Sequence, residues 1–323
     1  MMKLRANLLA SVLAASAFVA TGLACVSGEG PAEDNVLDGR VEVPAPPPEG
    51  EGVQFVMPET LIPAGEEKQF CWIPDWVPER DYFVKSFLGY QSGMGHHVVA
   101  LTSSIPRQAG STFDCTSLES MISVEPLLVP DSATPGEELE ARIMPENFAV
   151  RLPAGARLVM QSHYVNVSDQ DLKVADVAQL LFVAAEDDFV EASYFTVNHG
   201  GIDVPTGEHT TTVSCDVAQR VQLVSLFGHM HDWGSAVKIE RERAGAVETL
   251  YDVPEWTVEY RDLPPMETYP EADPLVFEPG DKVHVTCSYN NDTGGPLRFP
   301  EEMCVAFGAY FPANADGFIV CGN

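Results

Sequence analysis

The sequence predicts an all-β protein built from two tandem antiparallel β-sandwich domains behind an export signal and a tether. Three observations carry that expectation. Proline and glycine, 25 of each in 323 residues, cut the chain into short runs rich in valine, phenylalanine, tyrosine and threonine, the texture of antiparallel sheets. Nothing after the N-terminal apolar run keeps a helical period. About 270 residues remain beyond that run and its tether, more than one ordinary domain needs and enough for two with a core each.

At the N-terminus, Lys3 and Arg5 precede an apolar run over 8–20, and small residues then lead to Cys25. This is a secretory signal, residues 1–24, too short to span a bilayer. Gly22-Leu23-Ala24-Cys25 is similar to a bacterial lipoprotein cleavage box with Cys25 as the lipidated first residue, although the leucine usually stands one place earlier. The alternative is ordinary cleavage near Ala20 or Ala24. The expected destination is therefore a periplasmic or outer-surface lipoprotein, held to a membrane only through its lipid, or otherwise a secreted protein. Residues 25–52 are rich in Gly, Glu and Pro, with Pro44, Pro46, Pro47 and Pro48 almost contiguous, and read as a disordered tether.

The remaining chain divides at Glu186-Asp187-Asp188, a charge cluster that no core accepts, into domains 53–186 and 187–323. Candidate strands in the first are 82–90, 96–103, 156–167 and 176–185. Those in the second are 191–198, 210–218, 221–231, 235–243, 281–291, 304–311 and 317–321. Apart from Cys25, six cysteines remain, an even number in an exported chain, and imply three disulfides. Pairing within a domain joins Cys71 to Cys115. A net charge of −30 spread along the chain argues against nucleic acid as a partner. No fixed-period repeat, phosphate loop or nucleophile elbow is present. Two sequons, Asn166-Val-Ser168 and Asn291-Asp-Thr293, matter only in a glycosylating host.

Five of the eight histidines fall in three tight contexts: Gly95-His96-His97-Val98, Gln161-Ser162-His163-Tyr164 and Gly228-His229-Met230-His231. His229 and His231 stand two apart in a predicted strand, so both rings share a face and can reach one ion. His96 and His97 are adjacent and serve one ion only if the backbone is irregular there; Gly93 and Gly95 supply the freedom for a bulge. His163 lies on another strand, sharing its face with Gln161. A three-imidazole set of this kind suits copper, zinc or iron. Met303, next to Cys304, adds a soft thioether that favours Cu(I), or else is an ordinary core filler.

Taken in order, these residues resemble the copper type II, ascorbate-dependent monooxygenases, the family of peptidylglycine α-hydroxylating monooxygenase and dopamine β-monooxygenase. The pattern runs through Phe70-Cys71, His96-His97-Val98-Val99, Val159 to Tyr164, Pro205 to Glu208 leading to Ser214-Cys215, Gly228 to Gly234, and Glu302-Met303-Cys304. The resemblance implies two jelly-roll β-sandwiches facing across a cleft. It also implies two coppers per chain, an electron-transfer ion on His96, His97 and His163 and an oxygen-activating ion on His229, His231 and Met303. Gln161 matches a residue beside the first site. Cys287 would pair with Cys304, and Cys215 with Cys321. The implied activity is hydroxylation of a small molecule with O2 and an ascorbate-type one-electron donor.

The sequence departs from the peptide-hydroxylating members at specific places. Their arginine two residues before the His-x-His is Phe227, and their asparagine and tyrosine after the methionine are Val305 and Phe307. Phe227 and Phe307 are thus the candidate substrate contacts, and they point to a neutral or apolar substrate. Two other readings compete: a copper-binding or copper-storage lipoprotein without turnover, and a structural β-sandwich adhesin with incidental histidines.

Overall fold

The computed structural model describes residues 36–116, 124–128, 131–132, 144–184, 186–198, 201–261, 264–299, 301–314 and 317–321. The signal segment and Cys25 lie outside the described residues. Among the described residues the chain is strand and loop, and the one helical element is a 3-10 turn at Val258–Arg261.

The largest sheet runs in the order Gly52–Val56, Val177–Phe182, Tyr82–Tyr90, Phe148–Leu152, Val190–Val197, Val305–Phe311, Val221–Leu223, Leu275–Phe277. Its first part packs on a second sheet ordered Thr112–Asp114, Glu67–Trp72, Arg157–Val165, Gly95–Ser103, Val124–Leu128. Val98, Leu158 and Met160 of that sheet meet Val84, Val150 and Leu180 of the large one in a single apolar core. The other part packs on a sheet ordered Gly207–Asp216, Lys282–Asn291, Gly234–Arg243, Ala246–Val253, where Val213, Ile239 and Val285 meet Phe195, Leu223 and Phe277. Alternation along each strand is what supplies these inward faces. The core divides within one strand, since Tyr194 joins the first core and Phe195 the second. Glu186, Asp187 and Asp188 are exposed, as their charge requires, yet the sheet continues past them: Phe148–Leu152 pairs in parallel with Val190–Val197.

Two expectations need correction. Residues 36–48, assigned to the disordered tether, are part of the fold. Val36–Arg40 is a strand in parallel register with Asp171–Ala175, and the carbonyls of Pro44 and Ala45 accept hydrogen bonds from Gln54 Nε2 and Gln179 Nε2, each at 2.9 Å. Composition could not reveal this, because the partner strand and the Gln179 donor lie far along the chain. The single strand expected over 221–231 is two, Val221–Leu223 and Ser225–His229, so Met230 and His231 follow the strand rather than extend it.

The cysteines pair as Cys71–Cys115, Cys215–Cys321 and Cys287–Cys304, with Cα separations of 5.7, 5.5 and 5.8 Å. Both sequon asparagines are buried, Asn166 at 1% and Asn291 at 0% exposure, and neither presents its amide to a glycosylating enzyme. Each closes the same kind of loop at the end of a central strand. Asn291 Nδ2 donates to the carbonyls of Val204 and Gly295, both at 2.9 Å, and its Oδ1 accepts from the Thr293 amide at 3.0 Å. Asn166 does likewise with Ile62, Pro63, Gln170 and Ser168. Asn291→Ala strands several of these buried groups at once and is expected to lower the unfolding free energy by about 2–4 kcal/mol in urea titration. A loss below about 0.5 kcal/mol would show that water replaces the amide at no cost.

Candidate metal centres

The first imidazole pair is set by strand register. Gly95–Ser103 runs antiparallel to Arg157–Val165 with His97 opposite His163, but the next pair is Gly95 opposite Tyr164. His96 is thus the extra residue of a bulge, the irregularity that adjacent histidines need if both are to serve one ion. The His97 and His163 rings stand 5.0 Å apart at 61°. The His96 side chain lies outside the described residues. His163 is buried, and its Nε2 is 2.7 Å from Glu67 Oε1 on the neighbouring strand Glu67–Trp72. A carboxylate only accepts, so this bond selects the tautomer with the proton on Nε2 and the lone pair on Nδ1. Gln161, on the same face, donates to Cys115 Sγ at 3.6 Å.

The second pair sits where a strand ends. His229 closes Ser225–His229, and the His229 and His231 rings are 5.1 Å apart at 82°. The two glycines bounding this motif make room for it. A Cβ on Gly228 would stand 2.7 Å from Val237 Cγ2, and one on Gly234 would stand 2.6 Å from Met230 Cε and 2.8 Å from Trp256 Cδ1. Met230 is accordingly a core residue. Gly228 faces Val237 and Tyr251, so Phe227 and His229, its strand neighbours, face the other way.

Glu302 holds the loop after His229. Its side chain is fully buried, and it accepts hydrogen bonds from the amides of His231 at 3.0 Å, Trp233 at 3.0 Å and Met303 at 2.8 Å. Burial pushes its carboxyl up to about 7, against the pull of those three donors. The Met303 carbonyl accepts from Tyr289 OH at 2.7 Å, and Cys304 ties the next residue to Cys287. The thioether-bearing segment is therefore fixed from three directions. His231 Nδ1 donates to the Glu301 carbonyl at 3.2 Å, which selects the tautomer with its lone pair on Nε2. Trp256 Nε1 donates to the His231 carbonyl at 3.2 Å.

Phe227 and Phe307 face each other across paired strands, with ring centroids 5.6 Å apart at 28°, and Phe307 lies 6.2 Å from the His229 ring. The structure exposes these two candidate substrate contacts unequally. Phe227 is only 6% exposed and packed into the core, so it backs Phe307, the partly exposed one of the two. An open polar cleft of about 580 Å³ lies beside the His231 loop, with Asp232, Glu255 and Asp292 in its wall.

Copper fits the donors on geometry as well as chemistry. Two imidazoles sharing one ion through bonds of about 2.0 Å at a near-tetrahedral angle place their ring centroids about 5 Å apart, close to both observed separations. Among the described residues, no three His, Cys, Asp or Glu side chains gather as a metal site. Sequence reasoning missed Glu67 and Glu302 as supports. Glu302 alone carried a hint, standing in the motif that holds Met303.

Residues 194–322 match the family model described as the copper type II ascorbate-dependent monooxygenase, C-terminal domain. That span includes His229, His231, Met303, Cys215–Cys321 and Cys287–Cys304. No curated protein matches the chain.

Proposed function

We propose that this chain is a dicopper monooxygenase, with a first copper domain over 53–186 and a second over 187–323. The observation that carries the reading is a pair of imidazoles at ion-sharing distance in each half, the second inside a copper monooxygenase domain. His96, His97 and His163 would hold one ion, and His229, His231 and Met303 the other. Bound copper would supply the one-electron chemistry for R–H + O2 + two electrons + two protons giving R–OH + H2O, with ascorbate or a similar donor as the source of electrons.

The protein's own part is placement. Nitrogen donors at the first centre tolerate both oxidation states, and the soft Met303 thioether favours the reduced ion at the second. Keeping the two ligand sets in separate cores keeps the electron store apart from the site of oxidation. Phe307, beside His229, offers an apolar wall to a substrate C–H bond. Export through the signal segment, with Cys25 as a lipid anchor, would put the enzyme where disulfides persist.

Metal analysis of the purified protein tests the ligand sets. Two coppers per chain are expected, and His229→Ala with His231→Ala should leave one, with the fold intact by circular dichroism. Retention of two, or loss of both, contradicts separate centres. Turnover is tested by incubating small metabolites with labelled O2 and a reductant, using Met303→Ala as control. Two coppers with no labelled product would instead identify a copper-binding protein without turnover.

A further inference from the structure

We infer that Asp176 is a positioning residue for the first copper centre, fastening the turn that launches His96-His97 to the strand that carries His163. The inference rests on the copper reading proposed above. Asp176 is 1% exposed and accepts hydrogen bonds from Ser162 Oγ and Tyr164 OH, the two residues flanking His163, and from Gln91 Nε2 at 3.1 Å. Gln91 Nε2 also lies 3.2 Å from Ser162 Oγ, and Tyr164 OH accepts from the Ser92 amide at 3.5 Å. Residues 91 and 92 lead into the turn closed by the Gly95 amide on the Ser92 carbonyl at 2.8 Å, and His96 comes next.

Strand alternation gives this arrangement its meaning. His163 points to one face of Arg157–Val165, so Ser162 and Tyr164 point to the other, where Asp176 accepts from both. The bulge between His163 and Tyr164 therefore has its two sides held by one carboxylate. Gln91 and Ser92 come from the incoming turn, Ser162 and Tyr164 from the partner strand. The choice of residue is informative. Burial raises the Asp176 carboxyl above the usual carboxylate range, so the group is costly where it is, and an apolar core side chain would serve stability at least as well. A carboxylate whose donors come from the His163 strand and from the turn leading to His96 is explained by the register it enforces.

The test uses the full chain carrying His229→Ala and His231→Ala, so that copper reports on the first centre alone. Asp176→Asn and, separately, Gln91→Ala are added. Gln91 is only partly buried and its loss leaves Asp176 with both hydroxyls, so that variant should fold even if the other does not. Both are expected to change the Cu(II) electron paramagnetic resonance spectrum and to speed copper loss to a chelator by about 10- to 100-fold. Folded variants that melt earlier but keep the parent spectrum and release rate would reduce Asp176 to an ordinary core group and overturn the inference. Absence of copper from the parent itself would overturn the copper reading, and the inference with it.

Discussion

Glu302→Ala is expected to empty the second copper centre and to lower the unfolding free energy by about 3–5 kcal/mol. One buried carboxylate accepts from the amides of His231, Trp233 and Met303, so a single truncation abandons three backbone donors and cuts the connection between two of the three expected ligands. Each buried donor left without an acceptor costs about 1–3 kcal/mol, less where the loosened loop lets water in. Glu302→Gln separates charge from shape. The amide oxygen can keep one or two of the donors, while its NH2 meets the third amide head-on, so an intermediate loss is expected. Copper content and urea titration read the two effects independently. If Glu302→Ala kept two coppers and lost less than about 1 kcal/mol, the carboxylate would not be what holds the His231 loop to Met303.

How much of this was legible beforehand depends on sequence distance. The strands Tyr82–Tyr90, Gly95–Ser103 and Lys282–Asn291 were visible because two-residue alternation is a local signal. The bulge at His96 was legible from Gly93 and Gly95, since adjacent ligands demand it. Supports of the sites were not. Glu67 reaches His163 from 96 residues away, and Glu302 reaches His231 from 71. In the sequence both look like surface acids in a chain that has 48 acidic residues, and only the fold separates them from the rest. The strand Val36–Arg40 failed for a related reason, because its partner Asp171–Ala175 supplies the hydrogen bonds that its own composition does not advertise. The break at Val224 was hidden because residues 221–227 carry no proline, glycine or charge, and such a run fits one strand or two equally well.

An acylglycine is expected to be a poor substrate, and an uncharged aromatic or aliphatic compound a better one, by on the order of 10³-fold. Peptide-hydroxylating members of the family offer a guanidinium and a phenol where this chain has Phe227 and Phe307, and the structure shows those rings stacked on each other beside His229. Neither ring donates a hydrogen bond, and a carboxylate stranded against such a surface loses several kcal/mol. The two arginines considered as substitutes are already engaged. Arg261 pairs with Asp232 at 2.9 Å and Arg298 with Asp203 at 2.9 Å. Asp232, Glu255 and Asp292 in the neighbouring cleft, together with a net charge of −30, oppose any anion on approach, ascorbate included. Copper-loaded protein should therefore be assayed against an acylglycine and uncharged compounds, with ascorbate and an artificial one-electron donor in parallel and at two ionic strengths. Added salt should speed reduction by ascorbate, because screening weakens the repulsion, and leave a neutral donor unaffected. Efficient hydroxylation of the acylglycine, saturating at micromolar concentration, would mean that a cation moves in from another loop and that Phe307 does not set the substrate's polarity.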